Sequence, residues 1–139
     1  MIIKLAETDD EINGCFAVMS QLRTHLWSVT FLEQVKRQMD DNFKLAFLAE
    51  NGEVKAVAGF RIGEMLHRGR YLYVDDLATE EEERSKGYGD ALFDWLVEYA
   101  KAENCEQFHL DSGVQRFDAH RFYFRKRMKI TSYHFALEL

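Results

Sequence analysis

Ile12, Phe16, Met19 and Leu22 recur at three- and four-residue intervals, the spacing that places side chains on one helix face, just after a short strand-like run from Ile2 to Glu7. Thr8 with Glu11 forms a capping box for this helix, and Thr30 with Glu33 opens a second one that buries Leu32, Val35 and Met39. From Lys44 the period shortens. Lys44 to Glu50 and Val54 to Met65 are alternating or continuously apolar, and Asn51-Gly52 between them predicts a tight antiparallel hairpin. A third strand, about Arg70 to Thr79, follows a turn at Leu66 to Gly69. Helical spacing returns from Asp90 to Asn104, where Ala91, Leu92, Trp95, Leu96, Tyr99 and Ala100 mark a core face, and Asn104 suits the carboxyl end. Phe108 to Ser112 predicts a strand and Asp118 to Arg127 a helix. Lys129 to Leu139 predicts a final strand with Tyr133, Phe135, Leu137 and Leu139 on one side. The expected order is strand, two helices, three strands, helix, strand, helix, strand.

Composition narrows the class. The 139 residues, 47% of them hydrophobic, suffice for one cored domain over residues 1–139, and with no proline and no low-complexity stretch nothing marks a linker. A net charge of −6 argues against a nucleic-acid partner. Arg121, Arg125, Lys126, Arg127 and Lys129 form one basic island, read as a solvated helix face or a local phosphate contact. The amino terminus lacks the apolar segment of a signal peptide and no run approaches membrane-spanning length, which predicts a cytoplasmic protein with no membrane partner. Cys15 and Cys105 lack metal-like spacing and are expected to be reduced, buried thiols. His109, His120 and His134 are expected in structural hydrogen bonds, and no metal is expected.

The candidate chemistry centres on Arg84-Ser85-Lys86-Gly87-Tyr88-Gly89, a basic glycine turn between a strand and a helix start. The first N–H groups of a helix lack internal partners and carry the positive dipole end, so such a turn suits an anion, here a pyrophosphate. A dinucleotide fingerprint would need a third glycine where Leu92 stands. A nucleotide-hydrolase phosphate loop would need Lys after the glycine, followed by Ser or Thr, but Lys86 precedes Gly87.

Val74-Asp75-Asp76-Leu77-Ala78-Thr79 leading into that turn, with Leu110-Asp111-Ser112-Gly113 and Ala119-His120-Arg121-Phe122-Tyr123 downstream, resembles the GNAT superfamily of acyl-CoA-dependent N-acetyltransferases over essentially the whole chain. The resemblance implies an α/β (α+β) fold with a mixed, mostly antiparallel sheet of about six strands and four helices on both faces. Two positions depart from the family pattern. Arg127-Met128 stands where many relatives have Gly-Phe, so the helix loses the residue that adopts a left-handed backbone cheaply. Glu81, within the acidic run Glu80 to Glu83, replaces a frequent proline and reads as part of a solvated turn.

The resemblance also implies roles. Backbone amides from Arg84, Ser85, Lys86, Gly87, Tyr88, Gly89 and Asp90 would hold the pyrophosphate of acetyl-CoA, the acyl donor, with Arg116 as a further contact. Leu77, Ala78 and Thr79 would pair with the pantetheine arm in a wedge between the fourth and fifth strands, and the Leu77 N–H would stabilise the oxyanion. Tyr123 would stand by the CoA sulfur as general acid. Full proton transfer from a phenol to a thiolate is uphill by roughly 2 kcal/mol, so a hydrogen bond to the departing sulfur serves equally well. A free alkylamine has a pKa near ~10.4 and needs a base. Strand alternation groups Tyr73, Asp75, Leu77 and Thr79 on one face and Val74, Asp76 and Ala78 on the other. Asp75 is then the base if Leu77's side faces the acceptor, whereas a bulge would bring in Asp76; either aspartate could instead bond a loop or an arginine. Acceptor contacts, among them His25 and Trp27, would come from the first two helices. The expected reaction is direct acetyl transfer to a primary amine of a small molecule or peptide. A noncatalytic acyl-CoA-sensing or protein-interaction domain, or a nucleotide-binding enzyme, stays open on sequence grounds. A homodimer through the last strand is a further expectation, because a strand edge invites pairing.

Overall fold

The computed structural model describes residues 1–139, which divide into two compact units, Met1–His109 and Leu110–Leu139. In the first, β1 (Ile2–Leu5) is followed by α1 (Asp9–Gly14), α2 (Phe16–Leu22) and α3 (Ser28–Asp40). Then come β2 (Phe43–Glu50), β3 (Glu53–Met65), β4 (Gly69–Thr79), a 3-10 turn at Glu81–Glu83 and α4 (Tyr88–Ala102), and β5 (Gln107–Leu110) runs to the boundary. The sheet order is β1-β2-β3-β4-β5, antiparallel from β1 to β4. The second unit carries α5 (Phe117–Arg125). No helix is long and apolar enough to cross a membrane.

Local signals account for several of these elements. Asn51 (φ 54°) and Gly52 (φ 78°) both take the left-handed conformation that a two-residue I′ hairpin requires. The Glu11 N–H donates to Thr8 Oγ1 at 3.1 Å while the Thr8 N–H donates to Glu11 Oε1 at 3.0 Å, completing the first capping box. Asn104 (φ 61°) ends the α4 region in the left-handed conformation.

Other elements depart from the sequence reading. The helix expected after Thr8 divides at Cys15, whose N–H bonds the Ile12 carbonyl three residues back at 3.0 Å and tightens the chain before α2 resumes. The second capping box is not used: α3 begins at Ser28, and the Thr30 hydroxyl donates to the Trp27 carbonyl at 3.3 Å. Phe31 is the side chain buried in the core from this first turn, edge-on to Phe16 at 5.2 Å, with Leu32 and Met39 only partly buried. The sheet has five strands rather than about six. Residues 129–139 pair with no strand, and Tyr133, Phe135, Leu137 and Leu139 are exposed, because alternation supplies an apolar face but not the hydrogen-bonding neighbour that makes a strand. Cys105 is partly exposed, while Cys15 is fully buried as expected.

The sheet of the first unit is covered on both faces. Phe43, Leu45, Phe47, Val57 and Ala78 pack with Ile12, Cys15, Val18, Met19, Phe31 and Val35 on one side. The alternate side chains, among them Phe60, Leu72 and Val74, are buried on the other, where Phe60 meets Tyr99 of α4 edge-on at 5.3 Å. This alternation fixes which β4 residues face the helices α1 to α3.

Candidate functional site

The register of β3 against β4 slips by one residue. Phe60 lies opposite Val74 and Gly59 opposite Asp76, so Asp75 is an extra residue, a β-bulge. Before the bulge, Leu72 and Val74 are buried toward α4. After it, Ala78 belongs to the core under α1 to α3. The extra residue leaves Asp75 and Asp76 both on the α1–α3 side, lining a cavity of ≈ 250 Å³ with Arg23, His25, Gln34, Gln38 and Phe43. The face grouping expected from simple alternation is thereby corrected. Asp75 and Asp76 are neighbours on one face, and Leu77 and Thr79 turn toward α4. Of the two residues expected on the acceptor side, His25 lines the cavity, while Trp27 caps α3 and is exposed.

Gly59 permits this arrangement. A Cβ there would come within 2.5 Å of Asp76 Oδ2 and 2.6 Å of the Phe43 ring, so only glycine leaves room for the aspartate. Arg23, at the end of α2, then clamps the bulge. Its Nε lies 2.7 Å from Asp76 Oδ1, and its terminal nitrogen donates to the Asp75 carbonyl at 2.8 Å. Arg61 Nε holds Asp75 Oδ2 at 2.8 Å, and its guanidinium lies over the Phe43 ring at 5.3 Å. The other oxygen, Asp75 Oδ1, is buried and has no hydrogen-bond partner. Burial pushes the Asp75 carboxyl above the usual carboxylate range, against the opposing pull of Arg61. Asp75 therefore joins a place in the cavity lining to a buried oxygen that lacks a donor and a raised proton affinity.

The glycine turn has a different use for each glycine. Ser85 (φ 70°) and Gly87 (φ 86°) reverse the chain through left-handed conformations, and a Cβ on Gly87 would meet nothing within 4 Å, so its requirement is conformational. Gly89 is needed for packing, since its Cβ would come within 2.9 Å of Thr79 Oγ1. The turn thus seats α4 directly against the end of β4. The N-cap of α4 is Gly87, which has no side chain to cap the helix, and the helical ladder begins with the Ala91 N–H bonded to the Gly87 carbonyl at 3.0 Å. The positive end of this fifteen-residue helix lies at the turn, with Asp90 in its first turn.

The side chains around the turn are committed elsewhere. Lys86 Nζ lies 2.5 Å from Glu83, which Lys55 also reaches at 3.0 Å, and the Tyr88 hydroxyl donates to Glu50 at 2.6 Å. The Glu80 to Glu83 run is correspondingly more than a solvated turn. Gln21 of α2 donates to Glu80 Oε2 at 2.9 Å and accepts from the Glu81 N–H at 2.8 Å. These bonds fix the approach to the glycines.

β5 is anchored beside the start of β4 by the Glu106 N–H, which donates to the Arg70 carbonyl at 2.7 Å. Four residues of β5 cannot accompany the eleven of β4 along their length. Leu77, Ala78 and Thr79, at the far end of β4, lie beyond its reach and lead into the glycine turn.

Tyr123 and Arg116 belong to the C-terminal unit, Tyr123 within α5 and Arg116 at its amino end. Burial pushes the Tyr123 phenol up, with the Arg116 charge pulling the other way, so the hydroxyl keeps its proton at neutral pH. Arg127 (φ 67°) occupies the left-handed position after α5 that a glycine would fill without strain. His120 bonds the Gly113 carbonyl at 2.8 Å, His109 meets Gln107 and His134 lies 3.6 Å from Asp111. Burial raises the Cys15 thiol to about 12, which leaves it inert as a nucleophile.

The sequence reading missed Gly59, Arg23, Arg61 and Gln21. Two of them carried a signal: a glycine and an arginine interrupt the apolar run of β3, the pattern of a close approach and of a buried pairing.

The family model described as the acetyltransferase (GNAT) family matches residues 5–128. The chain is 35% identical over 122 residues, 87% of its own length and 86% of the relative's, to YhdJ of Bacillus subtilis, named an uncharacterised N-acetyltransferase. It is 28% identical over 102 residues, 73% of its length and 66% of the relative's, to the aminoalkylphosphonate N-acetyltransferase of Salmonella typhimurium. Among solved structures it resembles a transcriptional regulator from Bacillus halodurans, with a TM-score of 0.87 at 20% identity over 99% of both chains.

Proposed function

Since the chain belongs to the acetyltransferase (GNAT) family and is an N-acetyltransferase, we propose that it draws its acetyl group from acetyl-CoA and delivers it to a small primary amine held against Asp75. The observation that carries the acceptor side is that Asp75, which lines the cavity, has a buried oxygen, Oδ1, without a hydrogen-bond partner. A buried acceptor atom without a donor costs about 1–3 kcal/mol, and a bound ammonium or its ordered water would relieve that. Arg61 and Arg23 match the charges of Asp75 and Asp76, so the attraction for a cation rests on the Asp75 oxygen that Arg61 does not reach and not on a surplus of charge. The Salmonella typhimurium relative is named for a small amine acceptor, in keeping with a cavity of this size.

The donor side rests on the turn and the end of β4. The glycine N-cap of α4 and the left-handed Ser85 and Gly87 fit a pyrophosphate, with the amides from Arg84 to Asp90 as its donors. Lys86 is held by Glu83, so the backbone carries more of this contact than the side chains. Leu77, Ala78 and Thr79 offer backbone groups beyond the reach of β5, where the pantetheine arm would pair as an added strand. Arg116 would add a further contact. When bound, acetyl-CoA supplies an activated thioester.

Within that arrangement Asp75 takes the proton that the ammonium must lose, directly or through one water, while Arg61 fixes its orientation through Oδ2. Asp76, tied to Arg23, holds the bulge in place. The Leu77 N–H donates to the oxygen that gains charge during attack. Tyr123, protonated at neutral pH, is the residue that the family resemblance would make the donor to the departing sulfur.

The reading is tested by supplying acetyl-CoA with a panel of small primary amines and following free thiol release alongside the mass of the acetylated product. Turnover with cationic amines supports it. Folded protein that releases no thiol above the amine-free background, across polyamines, amino sugars and aminophosphonates, overturns the small-amine acceptor.

A further inference from the structure

α3 carries two polar residues where its core-facing stripe calls for apolar ones. Phe31 and Val35 are buried in the core, and Leu32 and Met39 pack partly against it. With about 100° of turn per residue, Gln38 lies about 20° around the helix from Phe31 and Gln34 about 60°, so both glutamines fall on the inward side. Both are half-buried. A polar side chain turned inward costs stability unless it is bonded, and the core beside these two is apolar. What they line is the cavity that Asp75 also lines.

Their bonding leaves a defined remainder. Gln34 Nε2 donates to Gln38 Oε1 at 3.1 Å, which uses the amino group of one amide and the carbonyl of the other. The pair still holds a carbonyl oxygen on Gln34 and an amino group on Gln38 that bond nothing else in the chain. Exchanging the oxygen and nitrogen of both amides moves these groups between the two residues but leaves one acceptor and one donor all the same. The acidic groups of the lining are matched in charge, Asp76 by Arg23 and Asp75 by Arg61. The α3 wall therefore offers an uncharged donor beside an uncharged acceptor.

We propose that the acceptor is an amino alcohol, whose hydroxyl Gln34 and Gln38 select while its amine is held against Asp75. This rests on the small-amine reading and names the substrate class within it. A hydroxyl both donates and accepts, so it gives its proton to the Gln34 carbonyl and takes one from the Gln38 amino group. A plain alkyl end leaves both amide groups unpaired once it has displaced water from them. A second ammonium has no lone pair for Gln38, and a carboxylate has no proton for Gln34.

The test compares thiol release from acetyl-CoA across primary amines of two to four carbons that end in methyl, hydroxyl, ammonium or carboxylate. The expected kcat/KM for the hydroxyl series exceeds each matched alternative by about tenfold or more, with KM carrying most of the difference. Gln38→Met keeps the length of the side chain and removes the amide, so the ratio of hydroxyl to methyl substrates falls toward one. Gln38→Glu puts a carboxylate in place of the donor and moves the preference to the diamines. Equal kcat/KM for the hydroxyl and methyl series, or a preference for ammonium or carboxylate ends in the parent chain, overturns the amino alcohol and leaves the small-amine reading standing. A hydroxyl preference that survives Gln38→Met in folded protein overturns selection by the glutamines. Release from no amine at all overturns both readings together. The parent series decides by itself should either variant unfold.

Discussion

Replacing Asp75 with Asn separates the chemical use of the bulge from its architecture. The amide is the same size as the carboxylate, its oxygen still accepts from Arg61 Nε at the 2.8 Å position, and only the negative charge and the proton affinity are removed. Because burial raises the Asp75 pKa, the folded state binds its proton more readily than the unfolded chain does. The sign follows. This contribution to stability is fully present below the unfolded pKa and is lost as pH rises through the folded one, so at neutral pH the ionised Asp75 is a liability to the fold. Asn removes that liability but puts an NH2 without an acceptor at the Oδ1 position and leaves Arg61 without its counterion, so the opposing effects of about 1 kcal/mol each keep Tm within about 3–5 °C of the parent. Turnover changes far more. Loss of a general base lowers kcat by about 10²–10⁴-fold, the effect being smallest where water relays the proton. In the parent protein kcat/KM falls as pH drops through the raised Asp75 pKa, earlier than an ordinary aspartate would allow, and in Asp75→Asn that limb disappears. Thermal melts and a pH series of thiol release measure both. A variant that keeps the parent kcat/KM and its acid limb would refute Asp75 as the base and leave its partnerless oxygen without a catalytic reason.

Gly59→Ala forces a Cβ into the space of Asp76 and Phe43, which lowers stability by about 1–3 kcal/mol and raises the acceptor KM while acetyl-CoA affinity holds; an unchanged acceptor KM in folded protein would contradict the role given to Gly59. Arg127→Gly removes a left-handed residue that costs about 1–2 kcal/mol, partly offset by the entropy of a new glycine, so Tm rises by a few degrees, and a fall would show that the Arg127 side chain holds the turn. Tyr123→Phe lowers kcat, by about 10²-fold where the phenol delivers a full proton, with little change in acetyl-CoA affinity. Unchanged turnover would return Tyr123 to a packing role.

What the sequence made legible were features decided within a few residues. Asn51-Gly52 specifies its own backbone conformation, Thr8 and Glu11 cap a helix turn that contains both, and the α4 stripe of Leu92, Leu96 and Ala100 needs only its own period. The glycine turn was legible for the same reason, though not the separate uses of Gly87 and Gly89, since the second depends on Thr79. The bulge was illegible because alternation carries no mark of where it breaks. It takes Gly59 and Arg61 on the neighbouring strand, and Arg23 at the end of α2, to bring Asp75 and Asp76 to one side. The break at Cys15 escaped notice because a 3-10 turn barely disturbs the 3.6 period across it. The carboxyl-terminal alternation was visible, but a strand is a relation between two segments, and residues 129–139 pair with none.

The most direct test of the account is calorimetric titration of acetyl-CoA into the folded protein, alongside Gly89→Val, whose side chain is pressed against Thr79 where the turn meets β4. Saturable one-to-one binding to the parent chain, strongly weakened in the variant, is the predicted result. No heat of binding at millimolar acetyl-CoA, from parent protein whose melt shows it folded, would contradict it.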